Sequence, residues 1–315
     1  MNILLTGSVG YDYIMDFSGR FADRIMPEAL HKLSLSFLVD TLNKQFGGTA
    51  GNLAYTLKLL GENPKIVAPV GNDFQPYMKF FKKKGIDISG LTVYTDEKTS
   101  SYFGITDSDD NQIGSYYVGA MKYAKKQSLE VYYRDKKKTL AVLGPISPDA
   151  MVKFADECNT LSLPYVYDPA FQIANLSKED LKKGVSGAVI LIGNDYEILL
   201  IQKQLGINHE KLLTLVPIVI TTLGAKGSII EKGKERYEIQ PASVSNASDP
   251  TGAGDAYRGG FLAGFVRGFD LETCGQMGSV TAAYTVETYG TMTHTYTKKQ
   301  FSERYKENFG KNLVL

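Results

Sequence analysis

The chain has 315 residues, 43% of them hydrophobic and 22% charged, which excludes a disordered or fibrous protein. That length suits one large α/β domain with a smaller appendage, or two modest domains. Lys and Arg total 35 against 34 Asp and Glu, a net charge of +1, so no global field draws nucleic acid or an anionic membrane surface.

The N-terminus, Met1 to Gly7, lacks the basic start and long apolar core of a signal peptide, and no apolar run approaches membrane-spanning length. A cytoplasmic location is expected. Short apolar runs follow at Ile3–Thr6, Lys65–Val70, Leu140–Leu143, Tyr165–Tyr167, Val189–Ile192 and Pro217–Thr221. Between them lie amphipathic stretches such as Leu53–Leu60, Met151–Leu161 and Tyr196–Leu205. Near-continuous apolar strands separated by helices predict an α/β fold with a mostly parallel sheet and helices on both faces. Ligands of such sheets sit at the carboxyl ends of the strands, here Gly7, Gly71, Gly144, Asp168 and Asn194.

Two regions break the rhythm. Residues 11–46 are aromatic and polar without a helical period. Residues 99–118 read as a hairpin, Ser100–Thr106 and Gln112–Val118 around the turn Asp107–Asn111. Together they predict a small β lid (residues 11–46 and 99–118) on a large domain formed by residues 1–10, 47–98 and 119–315.

The sharpest motif is Asp249-Pro250-Thr251-Gly252-Ala253-Gly254-Asp255, directly before an amphipathic helix. Small residues admit a ligand to the backbone, and a helix start offers unpaired N–H groups that suit a phosphoryl group gaining charge in transfer. Asp255 in the first turn is placed to accept a proton from an attacking hydroxyl; the plain alternative is a helix cap. Gly47-Gly48-Thr49-Ala50-Gly51-Asn52 is a second glycine-rich helix opening, where Asn52 presents an amide to paired hydroxyls. It matches neither the Walker A loop nor a dinucleotide fingerprint. Asn194 and Glu197, three apart after a strand, either hold waters of a Mg²⁺ ion or cap a helix. Thr221–Ser228, with Thr222, Gly224 and Gly227, either lines nucleotide phosphates or forms a β-turn.

Cys158 and Cys274 have no metal-ligand spacing, and His31, His209 and His294 show no relay pattern; none is assigned chemistry. The basic runs Lys82–Lys84 and Lys136–Lys138 read as solvated charge.

In this order the segments resemble the ribokinase-like (PfkB) carbohydrate kinase superfamily over nearly the full length, and more closely its bacterial adenosine kinase branch. Gly47–Ala54 is similar to the first family signature, Asp249–Phe261 to the second, and Asn194 and Glu197 to the Asn-x-x-Glu motif between them. Softer matches carry the branch: Ser36–Asp40, Gln112–Met121, Tyr167–Pro169 with Gln172, Tyr257-Arg258, and Gly290–His294 followed by Phe301–Phe309.

The resemblance implies an ATP-dependent phosphotransferase acting on a purine nucleoside 5′-hydroxyl, adenosine foremost, with Mg²⁺ and an activating monovalent cation such as K⁺. It implies Asp255 as base, Gly252, Ala253 and Gly254 as anion hole, and Arg258 beside the transferred phosphate. Asp12, Gly48 and Asn52 would hold the ribose, and Phe103, Tyr117 and Gln172 the base. Thr222, Gly224 and Gly227 would line ATP; Asp249 and Thr251 would ligate the monovalent cation. A homodimer through the lid is a further implication. Rival readings are a ribokinase- or fructokinase-type sugar kinase, an inosine, guanosine or cytidine kinase, a non-catalytic sensor on the same scaffold, and a nicotinamide dehydrogenase. The last lacks the Gly-x-Gly-x-x-Gly turn after the first strand.

Overall fold

The computed structural model describes residues 1–26, 32, 34–109, 111–133 and 138–315; His31, Asp110, Lys136 and Lys137 lie outside the described residues. In chain order the elements are β1 (Asn2–Thr6), β2 (Gly10–Asp16), β3 (Thr41–Gly47), α1 (Thr49–Leu59), β4 (Pro64–Ile66), β5 (Ala68–Gly71) and α2 (Gln75–Lys84). There follow β6 (Leu91–Tyr94), β7 (Ser101–Thr106), β8 (Gln112–Tyr117), β9 (Thr139–Leu143), α3 (Pro148–Leu161), β10 (Tyr165–Tyr167) and α4 (Lys178–Gly187). The last are β11 (Ile190–Asn194), α5 (Asp195–Leu205), α6 (His209–Leu215), β12 (Ile218–Thr222), β13 (Ser228–Lys232), β14 (Glu235–Ile239), α7 (Ala253–Val266), α8 (Leu271–Val286) and α9 (Lys298–Phe309).

Successive residues of the central strands drop into two separate cores. Ile3 and Leu5, Leu140 and Val142, Ile190 and Ile192, and Ile218 and Ile220 join one core with α1, α7 and α8. Leu4, Ala141 and Leu143, Leu191 and Val219 join another with α3, α4 and α5. Side chains alternate along a strand, so burial of both sets means helices cover both faces. The sheet has eight strands in the order β14-β13-β12-β11-β10-β9-β1-β4. Pairing is parallel from β12 to β4 and antiparallel for β12-β13-β14.

The expected run Lys65–Val70 proves to be two strands: β4 joins the main sheet beside β1, whereas β5 pairs β6 in a separate two-stranded sheet. The antiparallel β13–β14 edge was also outside the sequence reading. A second, four-stranded sheet has the order β3-β2-β7-β8 and rises from the carboxyl end of β1.

Helix α7 is clamped between α1 and α8. A Cβ on Gly259 would lie 2.6 Å from Thr56 Cγ2 of α1, and one on Gly260 would collide with Thr281 Oγ1 of α8. Glycine at both positions lets three backbones approach closely. Cys158 and Cys274 are free and buried, acting as small apolar fillers. No helix among the described residues is long and apolar enough to cross a membrane.

Candidate active site

Gly252 turns the chain into α7 with φ 79°, a left-handed conformation that glycine adopts at no steric cost. Ala253 N–H closes a turn onto Pro250 O at 3.2 Å, while the N–H groups of Gly252 and Gly254 have no backbone partner among the described residues. Asp255 follows in the first helical turn. Its Oδ2 accepts a 2.8 Å hydrogen bond from Asn52 Nδ2, joining the two glycine-rich segments across 203 residues of sequence. Asn52 lies in the first turn of α1, whose N-cap Gly48 has φ 89°. Asn52 is buried, and its Oδ1 has no partner. A buried amide oxygen left open beside a carboxylate is ready-made for a ligand hydroxyl.

Arg258, one turn further along α7, is fixed by Asp168 at the end of β10. Its Nε lies 2.6 Å from Asp168 Oδ2, and its Nη2 donates to Asp168 Oδ1 at 3.1 Å. The remaining nitrogen, Nη1, is 3.7 Å from Asp255 Oδ1. A Cβ on Gly254 would sit 2.8 Å from that Nη1, so the guanidinium runs under the candidate anion hole.

Carboxylates crowd this gap. Burial raises the Asp255 carboxyl above its ordinary range, Glu197 adding repulsion, while Arg258 and Asn52 pull the other way. Burial pushes Asp168 up to about 7 against the pull of Arg258, with Glu197 and Asp255 repelling it. Asp12, on β2, is likewise pushed up to about 7 by burial and by the charges of Asp255 and Asp249. Such displacement toward neutrality suits groups that exchange protons.

Pairing fixes which side chains of the four-stranded sheet face Asp12. Asp12 pairs with Tyr102, and Tyr102 with Tyr116, so these three share one face. The charge of Asp12 raises the phenols of both tyrosines, after the larger effect of burial. Phe103 and Tyr117 point to the other face. The Phe103 ring stacks on Tyr13 with centroids 4.8 Å apart, and the Tyr117 hydroxyl donates to Glu97 at 2.9 Å. The structure thus does not bring Phe103 and Tyr117 to the site; their immediate neighbours Tyr102 and Tyr116 stand there instead. Gln172 is half-buried in the turn after Asp168, its Oε1 accepting from Asn175.

A cavity of about 390 Å³ next to the start of α7 is lined by Thr222, Gly224, Gly227, Ala253, Gly254 and Ala283 among others. It places the three Thr221–Ser228 loop residues against the start of α7. Asn194 and Glu197 form a capping box: Asn194 Oδ1 accepts from Glu197 N–H, and Glu197 Oε2 accepts from Asn194 N–H, each at 2.8 Å. Asp249 accepts from the N–H groups of Thr251 and Gly290 at 2.9 and 3.0 Å, bracing the loop before the anion hole.

The pfkB family carbohydrate kinase model matches residues 11–298, the span that holds every residue just described. The chain belongs to the pfkB family of carbohydrate kinases. It is 32% identical over 313 residues to a nucleoside kinase of Methanothermobacter thermautotrophicus, covering 98% of this chain and 97% of that one. The nucleoside kinase of Burkholderia thailandensis in complex with inosine superposes with a TM-score of 0.90 at 31% identity, over 99% of this chain and all of that one. That of Methanocaldococcus jannaschii, an archaeal member of the ribokinase family, superposes with a TM-score of 0.87 at 30% identity, over 97% and 98% of the two chains. The fold is ribokinase-like, and as a pfkB kinase the protein is an ATP-using phosphotransferase with an alcohol group as acceptor.

The sequence marked Asp168 only as a strand end near a site and within the Tyr167–Pro169 match, and gave it no partner. The 90 residues separating it from Arg258 hide the pairing. Tyr102 and Tyr116 were missed because each belongs to an aromatic doublet, which carries no phase.

Proposed function

We propose that this pfkB kinase transfers the γ-phosphoryl group of ATP to the 5′-hydroxyl of a purine nucleoside, adenosine foremost. The carrying observation is Asp255, held at the start of α7 between the lid face of Asp12, Tyr102 and Tyr116 and the cavity behind Gly254. Asn52 Oδ1 and Asp12 accept from ribose hydroxyls, and the two tyrosines flank the base. Aromatic faces stack on any nucleobase, which suits a purine acceptor. The names of the relatives favour a nucleoside over a free sugar. The inosine complex of the Burkholderia protein favours a second reading, inosine as acceptor.

Asp255 takes the proton of the 5′-hydroxyl as its oxygen bonds to phosphorus and the bond to the ADP oxygen breaks. N–H groups of Gly252 and Gly254, with Arg258, meet the charge on the transferred oxygens. Among the described residues no three His, Cys, Asp or Glu side chains are grouped to hold a metal directly, which fits an ion that keeps its waters. Glu197 and Asn194 would hold those waters around Mg²⁺, which supplies charge neutralisation on the nucleotide phosphates when bound. Asp249 accepts one backbone amide at each oxygen and keeps lone pairs free, so with Thr251 it would ligate a monovalent cation when one is bound; no step is routed through that ion. The outer lid face exposes Leu42, Phe103 and Ile113, an apolar patch that supports a lid-to-lid homodimer; a monomer by light scattering would remove that partner.

The test is ADP release from Mg-ATP with adenosine, inosine, guanosine, cytidine, ribose and fructose. Turnover confined to purine nucleosides is expected. Preference for ribose or fructose would discard the base contacts, and turnover with inosine above adenosine would install the second reading.

A further inference from the structure

Arg258 is the cation that faces both Asp168 and Asp255, while Glu197 and Asp12 bring further negative charge to the same gap. Its fork of donors is already divided. Nη2 donates to Asp168, which is 3% exposed and whose other oxygen lies 2.6 Å from Nε, and Nη1 is left toward Asp255 at 3.7 Å and toward the space beneath Gly254. A guanidinium beside a free carboxylate ordinarily closes a two-pronged pair, with both N–H bonds near 2.9 Å. Here the second carboxylate prevents it. Asp168 comes from β10 and is anchored by its backbone N–H to Leu143 O of β9, so it is set by the sheet rather than by α7.

We propose that Asp168 is a positioning residue that holds Arg258 away from a closed pair with Asp255, keeping that carboxylate open to the acceptor hydroxyl and one guanidinium nitrogen open to the transferred phosphoryl oxygens. Without it, Arg258 turns onto Asp255, ties up the base in a bidentate pair and favours its ionised, less proton-hungry form. The cation is then also missing from the anion hole. This inference rests on Asp255 being the base. Activity largely retained in Asp255→Asn would sink that assignment, independently of what Asp168 does.

The experiment is steady-state kinetics of Asp168→Asn across pH with ATP and the best acceptor of the panel. A drop in kcat of about 100-fold is expected, the low end of general-base effects because the base is impeded rather than removed, with acceptor KM within about threefold. The acid limb of kcat/KM should move to lower pH, because the charge of Arg258 now falls on Asp255, faced also by Glu197, Asp12 and the Asn52 amide. A purely structural role would lower activity without moving that limb. The double variant Asp168→Asn/Arg258→Gln removes both partners of the Asp168–Arg258 pair together, so neither is left charged without the other, which guards against a failure to fold. In the Arg258→Gln background Asp168→Asn should cost little more. A full further loss there, or an unmoved acid limb in the single variant, would overturn the proposal.

Discussion

Asn52→Ala tests the link between the two glycine-rich segments. The side chain donates from Nδ2 to Asp255 at 2.8 Å and leaves Oδ1 buried without a partner. A hydrogen bond to a charged group is worth about 1.5–3 kcal/mol, so its loss raises the carboxyl of Asp255 and lowers kcat about 10–150-fold in the acidic range. Because the loss arises from protonation of the base, raising the pH should restore kcat. The open Oδ1 contributes separately: if it accepts a ribose hydroxyl, truncation raises acceptor KM about 5–30-fold at every pH, for about 1–2 kcal/mol. Rate profiles from pH 5.5 to 9 separate the two effects, with kcat recovering in alkali and KM staying high. Stability should change little, since truncation also removes an unsatisfied buried acceptor. A kcat deficit that is constant across the pH range would refute the electrostatic link between Asn52 and Asp255.

Tyr116→Ala should raise nucleoside KM about 5–150-fold, from about 1–3 kcal/mol of lost stacking, whereas Phe103→Ala on the outer lid face should change it less than twofold; equal effects would reverse the assigned faces. His294 is buried and held neutral, its imidazole pushed down to about 4 by burial and by the charge of Lys84. The unfolded chain therefore takes up that proton first, so the stability involved is complete above pH 6.5 and drains away as pH falls toward 4. Comparing urea midpoints of the wild type and His294→Gln cancels the opposite trend from Asp12 and Asp168. The wild type's advantage should shrink by about 2–3 kcal/mol between pH 7.5 and 4.5, and an unchanged gap would mean that His294 is not buried neutral.

The frame of the fold and of the candidate site was legible where each part is local. Apolar runs without alternation announce strands covered on both faces, and Gly252 to Asp255 announces a helix start open to an anion. Pairings between distant segments left no such trace. Asn52 was readable through a signature segment and Asp12 through the family resemblance, but Asp168 reaches Arg258 only because β10 ends beneath α7. The lid doublets Tyr102-Phe103 and Tyr116-Tyr117 show a second limit. Alternation states that one of each pair faces inward, and only the register with Asp12 says which. Within Lys65–Val70 the apolar composition concealed a change of sheet, since both halves are buried alike.

The glycines that let α7 nestle between α1 and α8 also make it a poor helix by itself. Gly254, Gly259, Gly260 and Gly264 lie within it, and each costs about 1 kcal/mol relative to alanine. The segment carrying Asp255 thus gains its shape from neighbours contributed by opposite ends of the chain, Thr56 on one side and Thr281 on the other. The helix start carrying Asp255 therefore depends for its shape on that packing, and loosening either neighbour would reach the candidate site through α7.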